Sequence, residues 1–61
     1  MKTYYLEITK KRGKSQIDKV TTDEEYRART AAIAMMKSNR NIVQIVLVEV
    51  ETMRYCTTIT R

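Results

Sequence analysis

Apolar and polar residues alternate near the start of the chain, with Tyr4, Leu6 and Ile8 on one side and Tyr5, Glu7 and Thr9 on the other. A period of two signals a β-strand, because successive side chains of an extended chain point to opposite faces. The alternation stops at Lys11-Arg12-Gly13-Lys14, where Gly13 can take a positive φ at little cost, so a hairpin turn is expected. A second strand is expected over residues 15–20. A two-residue turn at Arg12-Gly13 sets Ile8 opposite Ile17 and Tyr5 opposite Val20, apolar against apolar.

The period then changes. Thr22-Asp23-Glu24-Glu25 has the spacing of a capping box, a Thr with a Glu three residues later, which satisfies exposed amides at a helix start. The acids also suit the positive end of the helix dipole. A helix is expected over residues 23–38, free of Gly and Pro and rich in Ala and Met. Lys37 and Arg40 suit its C-terminal end, with Asn39 as C-cap. On a helical wheel, Tyr26, Ala32, Ile33 and Met36 form an apolar stripe, which Ala28, Ala31 and Met35 widen. The alanines predict a helix seated close to a sheet.

Residues 42–50 are apolar and β-branched, and residues 53–60 also favour strand. A turn at Val50-Glu51 pairs Val48 with Met53, Val46 with Tyr55 and Ile42 with Ile59, and on the other face Leu47 with Arg54 and Ile45 with Cys56. No Gly, Asn or Pro stands there, so a wider loop or a bulge is expected.

The order is therefore β-β-α-β-β in one α+β domain covering residues 1–61. The helix crosses from the second strand to the third, and placing the first strand between them makes all neighbours antiparallel. The expected sheet order is 2-1-3-4, with the apolar third strand inside and a right-handed crossover. One helix covers one face. The expected covered set is Tyr4, Leu6, Ile8, Ile17, Ile42, Val46, Val48, Tyr55 and Ile59. Tyr5, Val20, Val43, Ile45, Leu47 and Cys56 would then form a bare apolar face, which usually marks an interface. Tyr5, Val43, Ile45, Leu47 and Cys56 are accordingly candidate contacts for a second copy or a protein partner.

Composition narrows the choices. A domain of 61 residues buries only about 60% of its unfolded surface, so small domains often lean on a disulfide, a metal or a partner. Cys56 is the single cysteine and there is no histidine, which rules out an internal disulfide and leaves no zinc ligand set. No cofactor is expected. No apolar run reaches the ~20 residues needed to span a bilayer. Lys2 leads into a strand-like segment and not an apolar block, so no signal peptide and a reducing, cytoplasmic setting are expected.

Lys and Arg outnumber Asp and Glu by 12 to 7, and the net charge of +5 favours acidic partners, nucleic acid first. Five cations, Lys10, Lys11, Arg12, Lys14 and Lys19, stand against Asp18 alone and carry +4 of that charge. They are the candidate nucleic-acid contacts, since a basic hairpin tip can sit on phosphates or enter a groove. Arg27, Lys37 and Arg40 could extend the surface. Charged tips also arise from exposure alone, and edge strands carry Lys to block aggregation. No aromatic RNA-binding motif, helix-turn-helix or zinc finger is present. Catalysis is not expected: Asp23, Glu24 and Glu25 belong at a helix start, Cys56 has no histidine base, and one glycine cannot build a phosphate-cradling loop.

The Tyr-rich first strand (Lys2-Thr3-Tyr4-Tyr5-Leu6-Glu7-Ile8), the capped helix from Thr22 to Met36 and the apolar hairpin from Ile42 to Ile59 together resemble small uncharacterised proteins of bacteriophages and prophages. The resemblance implies a regulator of DNA transactions or an inhibitor of a host protein, and it assigns no site residue. The expectation is a noncatalytic binding module, a homodimer, that contacts nucleic acid through residues 10–14. The alternative is a protein-interaction module acting through the bare sheet face.

Overall fold

The computed structural model describes all 61 residues. It contains β1 (Lys2–Lys10), β2 (Gln16–Thr22), α1 (Glu25–Ser38), β3 (Ile42–Glu49) and β4 (Arg54–Thr60). The strands form one sheet in the order β2-β1-β3-β4, with every neighbouring pair antiparallel. This is the α+β arrangement that the strand–helix order implies, with β3 inside the sheet.

The core lies between one sheet face and α1. Tyr4, Leu6 and Ile8 of β1 and Ile42, Ile45 and Leu47 of β3 meet Ala28, Ala32 and Met36 of the helix. Ala28 and Ala32 are fully buried, and their single methyl groups let the helix backbone lie close to the strands. Each fully buried Leu or Ile contributes on the order of 1.5–3 kcal/mol, so a few such side chains decide whether a domain this small folds. Tyr26 and Ile33, expected in the stripe, stand at its exposed margin. The Arg27 guanidinium covers the Tyr26 ring, 5.6 Å from its centroid.

The side of β3 that faces the helix is the reverse of the expected one. β1 aligns Leu6 with Leu47 and Ile8 with Ile45, and cross-strand partners share a face, so Ile45 and Leu47 lie beneath the helix. Val46 and Val48 take the open face. A bulge is responsible: Thr9 pairs with Gln44 and Lys10 with Ile42, leaving Val43 as an extra residue. One extra residue reverses the alternation, so Ile42 and Ile45 both turn inward.

The hairpins differ similarly. In β1–β2, Tyr4 faces Val20 and Glu7 faces Ile17, one step from the expected register, with residues 11–15 forming a longer loop. A one-residue slip exchanges faces, so Val20 packs against the core and Ile17 lies on the open side. In β3–β4, Val48 pairs with Tyr55 and Leu47 with Thr57, which makes Cys56 a bulge residue that packs against the core. Tyr55 is thereby on the open face, not under the helix. Both expected devices occur here, a wider loop and a bulge, and Met53 takes a positive φ of 51° in the loop.

The capping box does not form. Thr22 ends β2, its hydroxyl meets Asp23 Oδ1 at 3.4 Å, and Glu24 is the N-cap without a side-chain hydrogen bond. The pull of Thr22 into the sheet overrides local capping chemistry. Asn39 is the C-cap, as expected, and its backbone N–H donates to the Met35 carbonyl. No helix is long and apolar enough to cross a membrane.

Candidate nucleic-acid interface

The topology gathers the C-terminal ends of β1, β4 and α1 with the N-terminal ends of β2 and β3. Residues 9–16, 36–44 and 59–61 meet there, and none of them is acidic. They carry Lys10, Lys11, Arg12, Lys14, Lys37, Arg40 and Arg61. None of these seven side chains pairs with a carboxylate. Four of the expected contacts are thus grouped and joined by three others. Lys19 is separate, on β2 opposite Tyr5, roughly 10 Å along the strand from the loop at about 3.3 Å per residue.

The loop is fastened in place. The Lys11 amide donates to the Asn41 carbonyl at 2.7 Å, and the Arg12 amide donates to Asn41 Oδ1 at 2.9 Å. Asn41 Nδ2 donates in return to the Arg12 carbonyl at 2.8 Å. Asn41 is itself held, its amide donating to Asn39 Oδ1 at 3.0 Å. Gly13 supplies the loop's positive φ of 92° with no atom near where a Cβ would stand. Lys10 Nζ donates to Gln16 Oε1 at 2.5 Å, while Lys11, Arg12 and Lys14 extend into solvent.

Arg61 plays another part. Its Nε donates to the Ile42 carbonyl at 3.1 Å and its Nη2 to the Asn39 carbonyl at 3.1 Å and to Met36 O. A cation there satisfies carbonyls orphaned at the helix C-terminus and answers the negative dipole end. The roles of Asn41 and Arg61 were not read from the sequence. The sheet order itself held a signal for Asn41, because it brings the end of β1 beside the start of β3.

The opposite end has another character. Asp23, Glu24, Glu25, Glu49 and Glu51 lie there with Lys2, Arg27 and Arg54. The buried Glu49 carboxylate faces Lys2 Nζ at 3.2 Å and Arg54 Nη2 at 3.7 Å through Oε1, and accepts from Thr52 Oγ1 at 2.6 Å through Oε2. Arg54 Nη2 also reaches Glu25 Oε1 at 2.7 Å. The chain Lys2–Glu49–Arg54–Glu25 therefore ties β1, β3, β4 and α1 together. The Thr52 hydroxyl and then Lys2 hold Glu49 below the ordinary carboxylate value, and Arg54 does the same for Glu25. These shifts move both acids away from the neutral range useful for proton transfer. Burial pushes the Cys56 thiol up, which disfavours the reactive thiolate. No group of three or more Cys, Asp or Glu is placed to hold a metal.

Of the candidate interface residues, only Tyr5 is clearly on the open face. Ile45 and Leu47 are fully buried under the helix, Cys56 packs at the core margin, and Val43 is half-buried at its bulge. The open face instead presents half-buried Tyr5, Val46 and Val48, with Tyr55 at 59% and Ile17 at 64% exposure. The Tyr55 hydroxyl and Thr58 Oγ1 are 2.8 Å apart, which pins the ring along the edge strand. Thr3, Glu7, Lys19, Thr21 and Gln44 make the surroundings polar. The Val43 bulge has exchanged Ile45 and Leu47 for the smaller Val46 and Val48 on this face, while the Cys56 bulge and the β1–β2 register have brought Tyr55 and Ile17 onto it. No family model, curated protein or solved structure matches the chain.

Proposed function

We propose that this chain is a noncatalytic nucleic-acid-binding module of regulatory type that works within the cell and uses the cationic end as its contact surface. The observation that carries the reading is a fastened loop bearing Lys11, Arg12 and Lys14 at an end of the molecule where residues 9–16, 36–44 and 59–61 include no Asp or Glu. Ordering a loop costs conformational entropy, and hydrogen bonds to Asn41 meet that cost before a ligand arrives. Phosphates are the natural match for clustered, solvent-facing cations without internal partners.

The test is fluorescence anisotropy with labelled DNA at several salt concentrations. Binding should weaken with salt, and changing Lys11, Arg12 and Lys14 together to Ala should remove roughly 2–3 from the log–log slope, three phosphate contacts' worth. Affinity should fall at least tenfold while the thermal midpoint is unchanged. An unaltered slope in the triple variant would refute the reading.

A second reading, a protein partner or second copy on the open face, draws on the exposure of Tyr55 and Ile17 beside Tyr5, Val46 and Val48. Val48→Asp should abolish that association and leave DNA binding intact. Sedimentation at low micromolar concentration reads the second copy directly.

A further inference from the structure

A shallow, open cleft of about 510 Å³ lies over the loop ends of the paired strands β1 and β2, beside the basic loop, lined by Glu7, Ile8, Thr9, Ser15, Gln16 and Ile17. We infer that this cleft receives an unpaired base that carries an exocyclic amine, with the adjoining phosphates on Lys11, Arg12 and Lys14; the inference rests on the reading of the cationic end given above. Two cations flank the cleft through the chain itself, since Lys10 follows Thr9 and Lys14 precedes Ser15. Inside, the character changes. Ile17 offers an apolar surface that is largely exposed, Thr9 and Ser15 bring hydroxyls, and Glu7, cross-strand from Ile17, brings a carboxylate.

A ligand matching both zones is anionic outside, flat and apolar within, and tipped with a hydrogen-bond donor. A nucleotide of a single strand has this form. Glu7 would accept from the amine of cytosine or adenine, whereas thymine has no amine and its single N3–H is flanked by two carbonyl oxygens that repel a carboxylate. A base inside a duplex cannot enter, so single strands are preferred, as is usual where bases are read one at a time.

The experiment measures binding of the full chain at low salt to dC12, dA12 and dT12 and to a 12-base-pair duplex. Wild type should favour dC12 and dA12 over dT12 roughly tenfold, the order expected for one lost contact to a charged acceptor. Glu7→Ala should erase that preference while raising affinity for dT12, because it also removes a negative charge. Ile17→Ser, at an exposed position, should weaken every single strand and leave the duplex unchanged. Equal binding of dT12 and dC12 by wild type, a preference that survives Glu7→Ala, or a duplex bound as tightly as single strands would each overturn the inference. If the loop triple variant still loses binding in those cases, the cationic-end reading stands without the cleft. No binding by wild type at low salt would remove both.

Discussion

The two ends of the sheet handle charge in opposite ways. At the end where α1 begins, cations and acids meet: Glu49 lies between Lys2 and Arg54, Arg54 continues to Glu25, and Arg27 approaches Asp23 at 3.8 Å. At the end where α1 finishes, the cations meet only neutral oxygens or water. Lys10 bonds Gln16, Arg61 bonds main-chain carbonyls, and the loop cations face solvent. Charge neutralised within the fold acts mainly on the fold, and charge left unneutralised is available to a ligand. The count of +5 conceals this separation.

That comparison can be attacked from either end. The largest effect should come from acid. Glu49 and Glu25 sit below their ordinary value of 4.5 in the folded chain and return to it on unfolding. Between the two values the folded state binds fewer protons, so their stabilisation is complete above about 4.5 and is lost as pH falls through the depressed folded values. Thermal melts should hold steady from neutral pH to above 5 and then drop by about 10 °C, as the three ion-pair contacts of these two carboxylates are lost together. A flat profile down to pH 3 would mean that this end is not held by its carboxylates.

A smaller effect is expected from Glu49→Gln, which keeps the shape and removes the charge between Lys2 and Arg54. The thermal midpoint should fall by about 4–8 °C, a typical destabilising shift for a domain of this size. Affinity for DNA should not change. A loss of DNA affinity at an unchanged midpoint would dissolve the distinction between the ends.

The smallest effect concerns the fastening of the loop. Asn41→Ala removes one donor and one acceptor from the Arg12 backbone while leaving every cation in place. DNA affinity should fall roughly threefold to tenfold through added loop freedom, with an unchanged salt slope. A changed slope would show that Asn41 alters which phosphates are met.

Much of the architecture was legible because it follows from short-range pattern and connectivity. Alternation at Tyr4, Leu6 and Ile8 located β1 and its inward face, and the apolar stripe of α1 located its buried side through Ala28, Ala32 and Met36, although Tyr26 and Ile33, placed in the same stripe, lie at its exposed margin. The β-β-α-β-β order allows two arrangements with every neighbour antiparallel, 2-1-3-4 and 1-2-4-3, and the apolar third strand favours the one that places it inside, which is the order found. The faces of β3 were not legible, because Ile42, Val43, Ile45, Val46, Leu47 and Val48 are apolar on both sides. The site was half legible. Residues 10–14 stand out as a charge run, but their joining with Lys37, Arg40 and Arg61 needs the crossover, and Asn41 is one polar residue among several.

Local chemistry by itself determined where strands and helix lie, their order in the sheet and the sign of the charge at the hairpin tip. The first and last depend on neighbours a few residues apart, and the order follows from connectivity together with the apolar character of β3. Only the tertiary structure decided which side of each strand is covered, since a single bulge residue at Val43 or Cys56 reverses alternation for everything beyond it. It also decided which charges are consumed in pairs, because Glu49 and Glu25 meet Arg54, and Asn41 meets Arg12, only after distant segments come together.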